Sequence, residues 1–342
     1  MAALEARRED IVTMILDQLS DDQQVKLITN DQNYHRNAVD RAVFTGQHNI
    51  LCLLLKKLPD GARYMIISKA ILGSIGKADP VSLLILLNSV SQSQQVEVIK
   101  HPTGLNYDYN AIIMQALQRA YMPYYMVNRD PMPLFKILRL LLRRLPINDK
   151  IEVITRKNIL GENVLCKAVH TRKIAILNVV LEGLTHEQQA QVIIRHNNNA
   201  LVYAEQFGKA DMLSILLNRL SAEQILHALK RGKEDGMHNF MQRVSRQNLS
   251  MTLDRLSSDQ QVDLICCQDS RGYNDVMIAV AIHHKELLSE IVGRLSPDQK
   301  YASITNQTKE LICEDFEVEQ QKIGYNALML AVDFVHVFKE HL

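Results

Sequence analysis

The chain has no tryptophan, and aromatic residues fill only 5% of its 342 positions. Its core must therefore be built from Leu, Ile, Val and Ala, which suits helices packed closely on helices. Neither sign of charge is in excess. The 39 Lys and Arg stand against 38 Asp and Glu, a net of +1, so the general basic surplus that binds nucleic acid or an anionic membrane is missing. No apolar run approaches the roughly 20 residues needed to cross a bilayer, and no membrane insertion is expected. The N-terminal stretch MAALEARREDIVTMILDQL is amphipathic and carries acids, unlike a signal peptide. Five cysteines, Cys52, Cys166, Cys266, Cys267 and Cys313, make an odd number with no C-x-x-C pair. That pattern argues against a disulfide framework or a zinc site and fits a soluble protein in a reducing compartment. G-x-x-x-x-G-K-[ST], H-E-x-x-H and G-x-S-x-G are also lacking. No cofactor, metal or catalytic residue is expected, and the chain is read as no enzyme.

What the chain does have is one frame repeated. The stretch NAVDRAVFTGQHNILCLLL, beginning at Asn37, reads as two short apolar helices around a glycine turn. The frame returns at Asn163 (NVLCKAVHTRKIAILNVVL), Asn199 (NALVYAEQFGKADMLSILL), Asn274 (NDVMIAVAIHHKELLSEIV) and Asn326 (NALMLAV), with weaker copies near Lys69, Asn110 and His238. The first helix of each copy carries Ala on its inner face, allowing close approach. The second carries a Leu/Ile/Val stripe at i, i+3, i+4 that only a neighbouring copy can bury. The Asn at each start is placed to cap the first helix.

After each second helix comes a further segment: LSDDQQVKLI at 19–28, VSQSQQVEVI at 90–99, LTHEQQAQVII at 184–194, LSAEQILHAL at 220–229, LSSDQQVDLI at 256–265 and LSPDQKYASI at 295–304. Ser or Thr followed two or three residues on by an acid or Gln is close to a helix N-cap signature, so a third short helix is expected in each unit.

The frame resembles the ankyrin repeat, T-P-L-H-x-A-A-x-x-G-N-x-x-I-V-x-x-L-L, whose period is about 33 residues. Ala42 and Val43 take the Ala-Ala places, Gly46 the turn, Ile50 and Leu51 the Ile-Val places, and Leu54 and Leu55 the Leu-Leu pair. Ala168, Ala204, Ala279 and Ala331 hold the first Ala place, and Gly208 repeats the turn. The copies depart from the pattern in lacking Thr-Pro-Leu-His, and Arg172, Gln247 and His283 stand at turn positions instead of Gly. The resemblance implies an all-α, ankyrin-like helical-repeat solenoid with an extra short helix per unit. Extended, degenerate arrays of this kind are similar to effectors that intracellular bacteria inject into host cells. That implies a secreted virulence protein acting in the host cytoplasm after translocation.

A single array over residues 1–342 is expected, opening with a capping half-unit at 1–29. Units four to seven start near 163, 199, 238 and 274, at spacings of 36, 39 and 36. Two insertions are expected, near 118–133 and 305–324. The last unit stops before its second helix is complete, which suggests that a longer protein continues beyond it.

Few residues suggest chemistry. Cys166 and His170 lie four apart on one helix face and could pair as nucleophile and base, but Cys166 occupies a position the repeat already uses. Neighbouring helical residues such as Cys266 and Cys267, or His283 and His284, diverge by about 100° and chelate poorly. Lys136, Arg139, Arg143 and Arg144 recur at helical spacing, as a solvated face or as a patch for phosphate or an acidic partner.

Binding is the expected function, by a monomer, through the concave face that the resemblance gives to first helices and the loops before them. Those loops hold Tyr34, His35, Arg36, Tyr107, Tyr109 and Tyr273. The insertion after the third unit's first helix adds Tyr121, Tyr124, Tyr125 and Met126. Five of the eleven tyrosines fall in 107–126, and Tyr and Met are enriched at the cores of protein interfaces. They either anchor a partner or pack the insertion down onto its own unit. The partner class is a host protein, with no nucleic acid. The alternative is a targeting module of a larger effector whose enzymatic domain lies elsewhere.

Overall fold

The computed structural model describes residues 8–30, 37–101, 111–121, 132–157, 162–195, 200–207, 210–234, 245–269, 271–305 and 327. Among them every regular element is an α-helix, and 21 helices are defined. The chain divides into two compact units, residues 1–183 and 184–342.

The first unit contains α1 (Glu9–Asp17), α2 (Asp21–Thr29), α3 (Ala38–Thr45), α4 (His48–Lys56), α5 (Asp60–Lys77), α6 (Pro80–Asn88), α7 (Gln92–Lys100), α8 (Ala111–Tyr121), α9 (Met132–Arg144), α10 (Ile147–Thr155), α11 (Val164–His170) and α12 (Ile174–Leu181). Helices in the same place of the repeat frame pack on one another. First helices run α3 on α5, α5 on α8 and α8 on α11; second helices run α1 on α4, then α6, α9 and α12 in turn. The frame supplies the contact residues. Ala42 and Ala168 are fully buried, as are Leu51, Leu83, Leu138 and Leu177 on the second helices. Each such leucine contributes about 1.5–3 kcal/mol on leaving water.

The second unit contains α13 (His186–Ile193), α14 (Ala200–Phe207), α15 (Ala210–Leu217), α16 (Ala222–Glu234), α17 (Arg246–Leu253), α18 (Ser258–Cys266), α19 (Asp275–Ala281), α20 (Lys285–Gly293) and α21 (Pro297–Thr305). Here α15 packs on α17 and α17 on α20, while the extra helices run α16 on α18 and α18 on α21.

All six segments expected as third helices are helical, as α2, α7, α13, α16, α18 and α21. Four of them, α2, α7, α13 and α18, carry Gln-Gln, and all six carry its first Gln. The first Gln closes the capping box: the backbone N–H of Ser20, Ser91, Thr185, Ser221, Ser257 and Ser296 donates to Gln23, Gln94, Gln188, Gln224, Gln260 and Gln299 at 2.9–3.0 Å. The second Gln turns back to the end of the preceding second helix, whose last carbonyls lack intrahelical partners. Gln24 Nε2 donates to Leu16 O and Leu19 O, both at 2.9 Å. Gln261 Nε2 donates to Leu253 O at 2.9 Å and Leu256 O at 3.0 Å. Where the frame has Arg63 in that place, its guanidinium does the same to Leu55 O and Leu58 O, at 2.9 and 2.6 Å.

The unit-start asparagines cap as expected. Asn37, Asn163 and Asn274 accept from the backbone N–H of Asp40, Cys166 and Met277 at 2.9, 2.7 and 2.9 Å. The turn between first and second helices keeps its left-handed residue even without glycine: Gly46 has φ 67°, and Ala78, Arg172 and His283 have 55°, 55° and 54°.

Two positions differ from the sequence reading. The second copy does not begin at Lys69; Lys69 lies inside α5, an 18-residue helix that serves first as third helix and then as first helix of the next copy. Residues 66–70, IISKA, contain no Gly, Pro or Asn to break it. Gln247 is no turn residue either, but lies in the first turn of α17.

Candidate functional site

Of the residues singled out as a partner surface, Tyr34, His35, Arg36, Tyr107, Tyr109, Tyr124, Tyr125 and Met126 lie outside the described residues, as does the side chain of Tyr121 at the end of α8. Tyr273 is described, in the loop leading into α19. It is 8% exposed. Asp269 organises this loop: its Oδ1 accepts from the backbone N–H of Arg271 and of Tyr273, each at 2.9 Å. The Asp269 N–H donates to Tyr273 O at 2.8 Å, and Gly272 turns the chain at φ 86°. The Arg271 guanidinium donates to Asp269 Oδ2 at 3.2 and 3.1 Å and lies 5.2 Å from the Tyr273 ring centroid. Tyr273 is thus a footing for Arg271, which is the side chain this fixed loop presents.

The Cys166–His170 pair has no activated nucleophile. Cys166 is 2% exposed. Burial pushes its thiol up to about 12, so it holds its proton at neutral pH. The basic residues of α9 are engaged locally. Arg139 Nε donates to Glu182 Oε2 at 2.8 Å and Arg143 donates to Glu182 Oε1. Hydrogen bonding from Arg143 first, then the charge of Arg139, holds that carboxyl below its ordinary range. Arg144 donates to Asn88 Oδ1 at 2.7 Å and to Gln95 Oε1 at 3.1 Å. Lys136 stands exposed on the same helix.

The strongest polar cluster is one the motifs did not point to. It lies inside residues 184–342. Glu205 on α14 is fully buried, Lys233 on α16 is 4% exposed and Asp275 on α19 is 2% exposed. Lys233 Nζ lies 2.8 Å from Asp275 Oδ1 and donates to Leu264 O at 2.6 Å and Cys267 O at 3.4 Å. Two of the three ammonium donors go to these carbonyls, and the approach to Asp275 Oδ1 is an ion pair outside hydrogen-bond geometry. Neither carboxyl oxygen of Glu205 has a hydrogen-bond partner among the described residues. The buried Thr252 hydroxyl on α17 sits beside it and only partly offsets the burial. Burial first, then the charge of Asp275, raises Glu205 to about 8. Asp275 is raised as well, by its own burial, with Lys233 opposing. At neutral pH Glu205 is therefore a neutral acid.

The repeat frame held a signal for this cluster. Aligned on the unit-start asparagines, Glu205 stands where other copies have Val43, Val169 and Val280, and Asp275 stands where they have Ala38, Val164 and Ala200. Two acids stand at aliphatic positions of the frame, which are fully buried at Val164, Val169 and Ala200 and half-buried at Ala38 and Val280. Compared with protein-family models and with curated proteins, the chain matches none.

Proposed function

We propose that the chain is a non-enzymatic, protein-binding scaffold of ankyrin-like helical repeats. The observation that carries this reading is the division of labour within each copy. Frame residues are committed to capping and packing, as with Asn37, Gln261 and Ala168. The loops ahead of the first helices carry side chains the frame does not demand, such as Arg271 on its fixed turn. Loop side chains that the repeat itself does not dictate, held on a rigid base, are the ordinary make-up of a recognition surface.

The partner on this reading is a protein, bound through the first-helix face, the loops before it and the tyrosine-rich 107–126 region. The resemblance to injected ankyrin-repeat effectors makes a host protein the class to test first. Tyrosine offers broad contact with few rotamers to freeze, and loss of such an anchor typically costs about 2 kcal/mol or more of binding. Affinity capture from host-cell lysate, with the tagged wild-type chain beside Tyr124→Ala/Tyr125→Ala and Arg271→Ala, tests the reading. A partner retained by the wild type and lost by either variant, with melting temperatures unchanged, supports it. A chain that retains no specific protein, or one whose retention ignores both variants, defeats the proposed surface.

A further inference from the structure

We propose that Glu205, Lys233 and Asp275 form a proton-operated latch within residues 184–342. A proton held on Glu205, beside the Lys233–Asp275 pair, keeps α14 closed onto α16 and α17, and its loss at mildly alkaline pH loosens that junction. This inference does not depend on the binding reading.

Three observations carry it. The acids occupy frame positions that other copies fill with Val or Ala, so neither is required by the repeat. The Lys233 ammonium lies against Asp275 and donates to Leu264 O and Cys267 O, and it makes no hydrogen bond to Glu205. Both oxygens of Glu205 are left without a hydrogen bond in a site with no solvent exposure. With Lys233 charged, the cluster is neutral when one acid is protonated and carries a buried net negative charge when both ionise. The charge of Asp275 adds to burial in keeping the proton on Glu205.

The surroundings supply no other compensating charge among the described residues. On α15 the ionisable group is Asp211, which is exposed. On α16 Lys233 is the buried one, while Glu223 and His227 are exposed, Lys230 is half-buried and paired with Asp263, and Arg231 is half-buried. On α17, Thr252 and Asn248 face α14, with Asn248 Nδ2 donating to the Glu205 backbone carbonyl at 3.0 Å, while Arg246 lies at the surface with Glu290. Beyond Asp275 stand Asp269, already held by Arg271, and the Cys266 thiol, itself raised by burial. A second negative charge here meets acids and an uncharged core.

The sign follows from linkage. Unfolded, Glu205 ionises near its ordinary 4.5; folded, at about 8. Between those values the folded state holds the extra proton. Stability from this site is full below the lower value and is lost as pH rises toward the upper one, by up to roughly tenfold in the folding constant per pH unit.

Hydrogen exchange of the full chain at pH 6, 7 and 8, corrected for intrinsic exchange rates, reads this directly. Protection of α14 and α17 is expected to fall several-fold per pH unit in the wild type and to stay level in Glu205→Gln, while α4 and α6 show no such slope in either protein. A wild type whose α14 protection is independent of pH, or a Glu205→Gln variant that keeps the slope, overturns the latch. Should Glu205→Gln fail to fold, carbon-13 NMR of the glutamate carboxyls in the wild type decides. A Glu205 midpoint above 7 sustains the proposal, and one near 4.5 ends it.

Discussion

Arg144 Nη2 reaches back across one copy of the frame to Asn88 Oδ1 at 2.7 Å, joining the ends of two successive second helices, α9 and α6. The same rung recurs in the other unit between Arg255 and Asn218 at 2.6 Å, and with charged partners between Arg294 and Asp254 at 2.6 Å and Lys57 and Asp17 at 3.1 Å. A side chain at the end of one second helix thus reads the register of the next. The rungs are not equal in energy. Arg144 also donates to the buried Gln95, whereas Lys57 and Asp17 are 31% and 55% exposed.

Arg144→Ala is accordingly expected to cost about 1–2 kcal/mol, since it removes two charge-assisted bonds, one of them partly buried. Lys57→Ala is expected to cost roughly 0–0.5 kcal/mol, as for an exposed pair. Urea unfolding of both variants checks the difference. Equal midpoints would mean that the rung adds nothing beyond surface charge.

A second expectation concerns the paired glutamines. Gln260 and Gln261 are adjacent and alike, but Gln260 serves its own helix while Gln261 holds the end of α17 through Leu253 O and Leu256 O. Gln261→Ala leaves two helix-terminal carbonyls without that donor and is expected to cost about 1–2 kcal/mol. Gln261→Glu should be worse at neutral pH, because a carboxylate offers those carbonyls no donor, and should recover in acid as it protonates. A Gln261→Glu variant as stable as wild type at pH 7 would show that the carbonyls do not need the amide.

The turn between first and second helices gives a stabilising prediction. Arg172 is exposed with φ 55°, a conformation that L side chains adopt at a cost of roughly 1–2 kcal/mol. Gly46 occupies the matching place with φ 67°. Arg172→Gly should raise stability by about 0.5–1 kcal/mol, the relief of strain being offset in part by the greater freedom of glycine when unfolded. Gly46→Ala should lower it by about 1 kcal/mol with no clash involved, since open space surrounds the new methyl. Melting curves of the pair should move in opposite directions.

Local structure was legible in this sequence wherever one residue type has one local duty. Asn37, Asn163 and Asn274 were readable as caps because an amide ahead of an apolar run has few other roles, and Ser or Thr three residues before Gln marked the third helices. The fused α5 was less legible, because it is signalled only by the missing breakers at 66–70. The second Gln of the pair had no legible role, since its partner is a carbonyl contributed by the preceding helix. The buried cluster was hidden for a related reason. Glu205 reads as a solvated residue on an amphipathic helix until its place is compared with Val43 and Val169, and Lys233 and Asp275 meet only through folding. Of the suggested partner surface, Tyr273 turned inward because Asp269 and Arg271 fix the loop from outside, a three-residue arrangement that no single spacing encodes.

Close helix approach gives the last prediction, and it bears on Gly232. This glycine lies within α16, where a helix interior would ordinarily favour alanine by about 1 kcal/mol. The reason for it is Val202 on α14: a Cβ added at position 232 would lie 2.8 Å from Val202 Cγ2. The intruding atom belongs to a β-branched side chain with little rotamer freedom, buried at 1% exposure. Helix propensity says Gly232→Ala should stabilise, and packing says the reverse. Overpacking a close contact typically costs 1–3 kcal/mol, so packing should win, with a net loss of roughly 1–2 kcal/mol. Gly232→Ala combined with Val202→Ala should then recover part of the loss, since the removed methyls are the ones struck. Ala204→Glu on the same helix should be worse than either, at several kcal/mol, because Ala204 is fully buried and the new carboxyl would add a second acid beside the buried Glu205. Denaturant melts of the four proteins order these effects. A Gly232→Ala variant more stable than wild type would mean that α14 and α16 do not approach this closely in solution.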